Sequence, residues 1–211
     1  MTAAARPRVV VIDSGIDPQH PLVRGRGVVL AGAVFRDGAA VPGDALADEL
    51  GHGTAVAATV LQFAPDVELV SLRVFDSQPV CDFASVLVAL DHALARQPQV
   101  VNLSLGTTSL RHRRSLEAWL ARAHAQGTRL VTPASYGGLP SDPGNLAGVE
   151  AVVADPNVLP MLPELRPHHG RLLWFASPLP PRDADGGRRL VARGDSLAVA
   201  CVSGLLARSP L

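Results

Sequence analysis

Residues 50–61 constrain the fold of this 211-residue chain more than any other stretch. From Ala55 onward the stretch holds one polar residue, Thr59, and no charged residue. A helix that is apolar on nearly every side must be covered on nearly every side, which is typical of the central helix of a layered domain. His52 stands at the start of this helix between two glycines, which let the backbone approach a neighbouring element closely.

Strand and helix patterns alternate along the rest of the chain. Runs of β-branched and apolar residues predict strands at 8–15, 68–75, 100–106, 129–135, 149–154 and 172–176. Helical periodicity predicts helices at 83–96, 109–126 (stopped by Gly127) and 197–208. The alternation predicts an α/β fold, a three-layer sandwich with a mostly parallel sheet covered by helices on both faces. We expect one domain over residues 1–211.

Two regions carry weaker patterns. Residues 25–49 are rich in Gly, Ala and Asp, and they predict a surface excursion with one short strand. Between residues 155 and 181 prolines recur every few positions, which disfavours any regular element except the strand at 172–176. His168 and His169 in this second region are compatible with a metal site or with a surface loop. No third ligand lies at a useful spacing, so the pattern favours the loop.

Charge and cysteine content narrow the class of partner. The 19 basic and 19 acidic residues cancel, which gives no electrostatic reason to expect nucleic acid or an anionic membrane. Residues 1–8 are too short and too polar for a signal peptide, and no apolar run reaches the ~18 residues that span a bilayer. Cys81 and Cys201 do not form a disulfide framework. We therefore expect a cytoplasmic protein with no nucleic-acid partner and no membrane contact.

Three side chains stand at the ends of buried elements: Asp13 after a strand, and His52 and Ser196 at helix starts. Taken singly, a strand-end aspartate is typical of a turn cap and a helix-start histidine of a structural residue. Taken together they are the parts of a nucleophilic triad, in which an imidazole takes the serine proton and a carboxylate holds the imidazole. The chain order Asp, His, Ser is the order of the subtilisin triad.

Four motifs resemble those of the subtilisin-like serine proteases, the subtilases, and the likeness extends over residues 8–207. The resembling segments are 10–17 with His20-Pro21, 51–57, 101–106, and Gly194-Asp195-Ser196 with Ala198 and Val202-Ser203-Gly204. The resemblance implies a parallel α/β sandwich and cleavage of peptide bonds. It implies that Asp13 orients, that His52 is the general acid/base and that Ser196 is the nucleophile. Ser104, Leu105 and Gly106 would pair with the substrate backbone.

The departures from the family pattern cluster on stabilisation of the oxyanion. Tyr136 occupies the position of the asparagine that usually donates to the oxyanion, with Asn145 as a weaker candidate for that donor. Asp195 replaces the usual threonine before the serine, and a carboxylate there has the wrong charge unless it turns outward or pairs with a neighbour such as Arg193. Ala200 and Cys201 replace a usual proline and histidine, and we expect Cys201 to be a small core residue.

Further departures concern ions and location. Leu22 stands where a calcium-ligating aspartate is usual, and no inserted loop interrupts the helix after His52, so we predict no strong calcium site, no other metal site and no cofactor. The chain begins about where the mature catalytic core of a subtilase would, which predicts a compact intracellular form without a signal or pro-segment.

Two functions from different classes fit these residues. The first is a serine endopeptidase, slow or restricted in substrate because of Tyr136, which matures a peptide within a pathway. The second is a protease-like peptide-binding module with little or no catalysis. The intact triad favours the first function and the altered oxyanion site favours the second. Either function needs a peptide or protein substrate, and a partner protein that supplies an oxyanion donor could activate the first.

Overall fold

The computed structural model describes residues 6–179 and 194–208. The helices are α1 (His52–Phe63), α2 (Phe83–Leu94), α3 (Arg113–Ala125) and α4 (Asp195–Arg208). The strands are β1 (Arg8–Asp13), β2 (Val28–Arg36), β3 (Ala39–Val41), β4 (Glu68–Arg73), β5 (Val100–Leu103), β6 (Arg129–Pro133), β7 (Ser135–Tyr136), β8 (Leu139–Pro140), β9 (Glu150–Ala154), β10 (Glu164–His168) and β11 (Arg171–Ala176).

Nine of these strands form one sheet in the order β10-β11-β9-β6-β5-β1-β4-β2-β3. The seven inner strands pair in parallel, and the edge strands β10 and β3 pair antiparallel to their neighbours. Strands β7 and β8 make a separate small hairpin. The predicted α/β fold with a mostly parallel sheet is confirmed. Because β1 lies near the middle of the sheet, its carboxyl end opens where parallel-sheet proteins place their chemistry.

Strand β1 is buried on both faces because its side chains alternate between two cores. Val9 and Val11 pack with α1 and α4, whereas Val10 and Ile12 pack with α2 and α3. The helices therefore cover the sheet in two layers, as the sequence predicted. That residues 1–211 form one domain stays a prediction.

Helices α1 and α4 are in contact, and each is buried nearly all round. They come close at Gly204, where an added Cβ atom would lie 2.7 Å from the Val60 carbonyl oxygen. The apolar stretch that begins at Ala55 is buried up to Leu61, so the prediction of a central helix is confirmed. Cys201 is 5% exposed, which confirms its place in the core.

Residues 25–49 contain more regular structure than the single short strand predicted. The nine-residue β2 pairs in parallel with β4 as part of the main sheet, and β3 forms its edge. The pairing of β2 with β4 shifts between Ala31 and Ala33, so Gly32 lies in a β-bulge. The bulge breaks the alternation that normally reveals a strand, which explains why the sequence pattern was weak.

The proline-rich region also holds an additional strand, β10, which pairs with β11. The prediction that prolines exclude regular structure there was wrong, because Pro167 lies in the edge strand of the sheet, where a missing N–H group is tolerated. His168 ends this strand, so it is not in a loop, and His169 follows in the turn with φ of 47°.

The remaining bounds differ from the predictions by a few residues at element ends. A single 3-10 turn at Leu110–His112 precedes α3, and Gly127 follows the helix with φ of 72° and donates to the His124 carbonyl. In the part of the chain that the structure describes, none of the helices has both the length and the apolar character required to span a bilayer.

Candidate active site

Asp13 is the last residue of β1 and its side chain is 1% exposed. The strand lies between β4 and β5, so the carboxylate is fixed at the carboxyl edge of the sheet. Its Oδ1 atom accepts a hydrogen bond from the backbone N–H of Ser14 at 2.8 Å. A buried carboxylate held in this way can accept a hydrogen bond from a side chain that lies beyond the end of the strand.

His52 is the first residue of α1, and two glycines bring it to Asp13. Gly51 adopts a left-handed conformation with φ of 69°, which turns the chain into the helix. At Gly53 an added Cβ atom would lie 2.0 Å from the carbonyl oxygen of Gly15, so only glycine permits this approach. The result is a contact of 2.6 Å between His52 Nδ1 and Asp13 Oδ1.

The pKa of His52 reflects two opposing effects. Burial of the imidazole lowers the pKa, but the charge of Asp13, the hydrogen bond to Asp13 and the charge of Asp48 together raise it more. The net pKa lies above the ordinary value for histidine. An imidazole of this kind accepts a proton readily and stabilises the charge that results, which suits a general base.

Ser196 is the second residue of α4 and lies in the wall of a cavity of about 410 Å³ that His52 also lines. The cavity-lining residues are His52, Phe75, Pro79, Val80, Cys81, Phe83, Ser104, Leu105, Gly106, Thr107, Tyr136 and Ser196. Two predicted catalytic residues and the whole predicted substrate-binding segment therefore share one cavity. Asp13 stands behind His52.

The substrate segment Ser104, Leu105 and Gly106 leaves the sheet at the end of β5. The predicted strand over 100–106 is therefore too long, because β5 ends at Leu103 and the chain next pairs only at Thr107, with Asp142. Between these points the segment borders the cavity and pairs with no other strand of the described residues.

Two hydrogen bonds of the Asn102 side chain link the substrate segment to the helix of Ser196. Asn102 Nδ2 donates to the Ser203 hydroxyl on α4 at 2.9 Å, and the Ser104 hydroxyl donates to Asn102 Oδ1 at 3.0 Å. Asn102 and Ser203 are both fully buried. A buried, satisfied polar pair of this kind fixes the position of one element relative to the other.

Tyr136 lies at the end of β7, lines the same cavity as Ser196 and is 56% exposed. Asn145, the weaker candidate for an oxyanion donor, is exposed and does not line the cavity. Its side-chain oxygen accepts from Arg171 at 3.2 Å. Of these two residues, Tyr136 is therefore the one placed near Ser196.

Asp195 begins α4, directly before Ser196. Partial burial raises the pKa of its carboxyl group, and a hydrogen bond from the backbone N–H of Ala154 opposes this change. Ala154 ends β9, so this hydrogen bond connects the Asp195 carboxylate to the end of that strand. Arg193, the other suggested partner, lies outside the described residues.

The structure offers no cluster of metal ligands in residues 6–179 and 194–208, where no three His, Cys, Asp or Glu side chains converge. Leu22, at the position of a usual calcium ligand, is a buried core residue. The His168 and His169 rings contact each other edge to face, with centroids 4.3 Å apart. The absence of a calcium site stays a prediction, because calcium also binds backbone oxygens.

Sequence reasoning missed residues that the fold brings to this site. Asp48, four residues before His52, accepts hydrogen bonds from Gly51 N–H and Thr54 N–H at the start of α1. An acidic residue just before a helix start is a capping signal and could have identified it. Phe83 and Cys81 line the cavity, but nothing in their local sequence distinguishes them from core residues.

Comparisons with known proteins show which proteins this chain is similar to. A model of the subtilase family matches residues 5–148. The thermostable alkaline protease of Halalkalibacterium halodurans is 33% identical over 158 residues, which are 70% of this chain and 41% of that protein. The chain thus spans less than half the length of this relative.

Solved structures show the same fold over nearly the whole chain. A cold adapted subtilisin-like serine proteinase has a TM-score of 0.70 at 23% identity, covering 95% of this chain and 73% of the other. The prenylagaramide maturation protease PagA has a TM-score of 0.68 at 20% identity, covering 94% and 72%. Since the family model matches about two thirds of the chain, and the motifs of Asp13 and His52 lie within the match, this chain belongs to the subtilase family.

Proposed function

We propose that this chain is a serine peptidase in which Ser196, His52 and Asp13 act together on peptide bonds. The observation that carries the proposal is the 2.6 Å contact between His52 and Asp13 beside a cavity that both His52 and Ser196 line. Membership of the subtilase family supports it. The chemistry requires all three side chains, because a serine hydroxyl is a weak nucleophile unless a neutral imidazole accepts its proton.

The proposed reaction follows from these positions. Ser196 Oγ bonds to the substrate carbonyl carbon as its proton passes to His52, and the carbonyl oxygen becomes an oxyanion. The carbon–nitrogen bond then breaks, and His52 gives the proton to the departing amine. A water molecule then attacks the resulting ester as His52 takes one of its protons. The bond between the carbonyl carbon and Ser196 Oγ breaks as His52 returns that proton to Oγ, which releases the acid and restores both side chains. Asp13 holds the imidazole in place and stabilises the imidazolium that forms.

The substrate is proposed to be an extended peptide that lies along Ser104, Leu105 and Gly106. Apolar side chains of Phe75, Val80 and Phe83 line the cavity beside this segment, which suits an apolar or small substrate side chain. We further propose that the peptide is a precursor matured at one site. The maturation protease PagA, which has the same fold, supports this choice. Location in the cytoplasm stays a prediction.

A protease-like peptide-binding module is the second candidate, and Tyr136 is the observation that favours it. Tyr136, which stands at the sequence position of the usual amide donor, lines the cavity. In this alternative the groove holds a peptide but the oxyanion is too poorly stabilised for turnover. A protein partner that supplies or repositions an oxyanion donor would convert the peptide-binding module into an active peptidase.

Reaction with a fluorophosphonate separates the two candidates. The oxygen of an activated serine bonds to the phosphorus and displaces fluoride, so mass spectrometry of the purified protein should find one phosphonate adduct, on Ser196. The adduct should be absent in Ser196→Ala and strongly reduced in His52→Ala. An unlabelled wild-type protein that still binds peptides would favour the binding module and would contradict the peptidase.

A further inference from the structure

Asp48 lies in the segment that leads into α1, and its half-buried carboxylate joins two parts of the site. Oδ1 accepts from the Ser14 hydroxyl at 2.7 Å and from the Gly51 N–H at 2.9 Å. Oδ2 accepts from the N–H and the hydroxyl of Thr54, at 2.8 Å and 2.6 Å. One side chain thus holds the residue after β1 and the first turn of α1 at the same time.

Ser14 connects this carboxylate to Asp13. Its hydroxyl donates to Asp48, accepts from the Gly53 N–H at 2.9 Å, and lies 3.2 Å from Asp13 Oδ1. The direct bond between Asp13 and His52 joins the same two elements, β1 and α1. Two carboxylates therefore bridge the strand end and the helix start side by side. If the hydrogen bonds of Asp48 are removed, the contact between Asp13 and His52 is left as the remaining one of these two bridges.

The charged and titratable groups around His52 come from several elements. Asp13 is the last residue of β1, and Asp48 lies in the segment before α1. The negative charges of both residues raise the pKa of His52. Cys81, from the segment before α2, has a thiol pKa raised to about 12 and is neutral at ordinary pH. Tyr136 and Ser196 share the cavity with His52. Asp195 precedes Ser196 on α4 and is engaged by Ala154.

We propose that Asp48 is a positioning residue of this site, which fixes His52 against Asp13 through Ser14 and α1 and adds a second negative charge that favours the imidazolium. The inference rests on the proposed function, since it assigns Asp48 to the same reaction. A positioning role differs from helix capping alone, because loss of a cap would lower stability without slowing the labelling of Ser196 in the protein that stays folded.

The test is the titration of His52 by NMR in the Ser196→Ala protein, with and without Asp48→Asn. Asparagine keeps the size of the side chain but removes the charge, so the pKa of His52 should fall. In the protein with Ser196 intact, the base form of His52 is the active one. The pH at which fluorophosphonate labelling reaches half its plateau should therefore fall too, and the plateau rate should drop by ~10- to 100-fold.

Glu49→Gln is the matched control, because Glu49 is the adjacent carboxylate, contacts Arg73 at 3.3 Å and is not among the groups that shift the pKa of His52. It should leave both the titration and the labelling rate as in the wild type. If Asp48→Asn does not fold, Ser14→Ala decides instead. That change leaves Asp48 bound to α1 but removes its link to Asp13, and the labelling rate should still drop.

The outcomes are distinct for the two proposals. An unchanged pKa of His52 in folded Asp48→Asn, or an unchanged labelling rate in Ser14→Ala where Asp48→Asn cannot be made, would overturn the role of Asp48. Failure of wild-type Ser196 to label would overturn the peptidase. The titration in the Ser196→Ala protein would still show whether Asp48 acts on His52.

Discussion

Tyr136 and Asp195 give the surroundings of Ser196 a different hydrogen-bonding and charge pattern from that usual in subtilases. Tyr136 offers a hydroxyl on a long, rigid arm in place of an amide, and Asp195 places a carboxylate directly before the nucleophile. The Ala154 N–H engages that carboxylate, which reduces but does not remove the effect of a negative charge near a developing oxyanion. At the residue scale, oxyanion stabilisation is the part of the proposed reaction that this sequence changes most.

The double variant Tyr136→Asn and Asp195→Thr should raise turnover of a peptide substrate. It restores an amide donor and removes the nearby charge, so the transition state should be better stabilised. In a subtilisin, loss of the amide donor lowers kcat by ~10²–10³, a magnitude taken from that enzyme and not from this chain. We expect a gain of ~10-fold or more in kcat, measured with a fluorogenic peptide.

Tyr136→Phe is the control for the double variant. It removes only the hydroxyl, so it should lower kcat if that hydroxyl donates to the oxyanion and leave kcat unchanged if it does not. Turnover that stays the same in the double variant would show that the oxyanion site is not the limiting feature.

Cys81 should react slowly with iodoacetamide even though it borders the cavity. Burial, together with the charges of Asp82 and Asp13, raises the pKa of its thiol to about 12. At pH 8 only about one thiol in ten thousand is then the reactive thiolate. Mass spectrometry should find Cys81 and Cys201 unmodified in the folded protein and modified in urea. Rapid alkylation of Cys81 in the native state would contradict this assignment.

At the scale of elements, the approach of α1 to β1 decides whether His52 reaches Asp13. The approach depends on Gly53, whose Cα faces the Gly15 carbonyl with no room for a Cβ atom. It also depends on Gly51, for a different reason: its conformation is left-handed, but an added Cβ would meet nothing within 4 Å. Of the two glycines that flank His52, Gly53 thus permits the close contact and Gly51 permits the turn into the helix.

Gly53→Ala and Gly51→Ala form a matched pair that separates these effects. Gly53→Ala should push α1 away from β1, lower the free energy of unfolding by ~3 kcal/mol and abolish labelling of Ser196. Gly51→Ala adds only backbone strain of ~1–2 kcal/mol, so a labelled protein should remain. Urea unfolding and fluorophosphonate labelling measure both. Equal loss of labelling in the two variants would refute a role for the close contact.

At the scale of the whole molecule, the site is assembled from both helical layers and the sheet between them. Helix α4 contacts α1 and the strands β5, β6, β9 and β11, while β1 carries side chains into both cores. Ser196 cannot leave its position unless α4 loses its packing on the sheet. The same core that stabilises the fold therefore holds Ser196 beside the cavity that His52 also lines.

This coupling predicts that the site and the fold are lost together. In increasing urea, the rate of Ser196 labelling and the circular dichroism signal should have the same midpoint, because detachment of α4 exposes the core on one face of the sheet. Both curves can be recorded on the same samples. Labelling that disappears at a clearly lower urea concentration than the helical signal would show that α4 separates on its own.

The sequence alone determined the fold class and the three residues proposed for chemistry. Run 9–12 is wholly apolar and run 55–61 holds one polar residue, so both favour an arrangement with layers on either side, and both are buried. The motifs around Asp13 and His52 lie within the part of the chain that the family model matches, and each is short enough to be recognised without knowledge of the fold. The sequence pattern underestimated β2 because a bulge interrupts the alternation of its side chains. It did not predict β10 because that strand contains a proline, which an edge strand tolerates.

The tertiary structure alone decided which side chains surround those three residues. The contact of Asp48 with Ser14, the place of Phe83 and Cys81 in the cavity wall, and the hydrogen bond from Ala154 to Asp195 join residues that come from different elements. No periodicity encodes such contacts, because they depend on how strand ends and helix starts meet at one edge of the sheet. The residues that meet at that edge come from several motifs, and together they determine the pKa of His52 and the lining of the cavity.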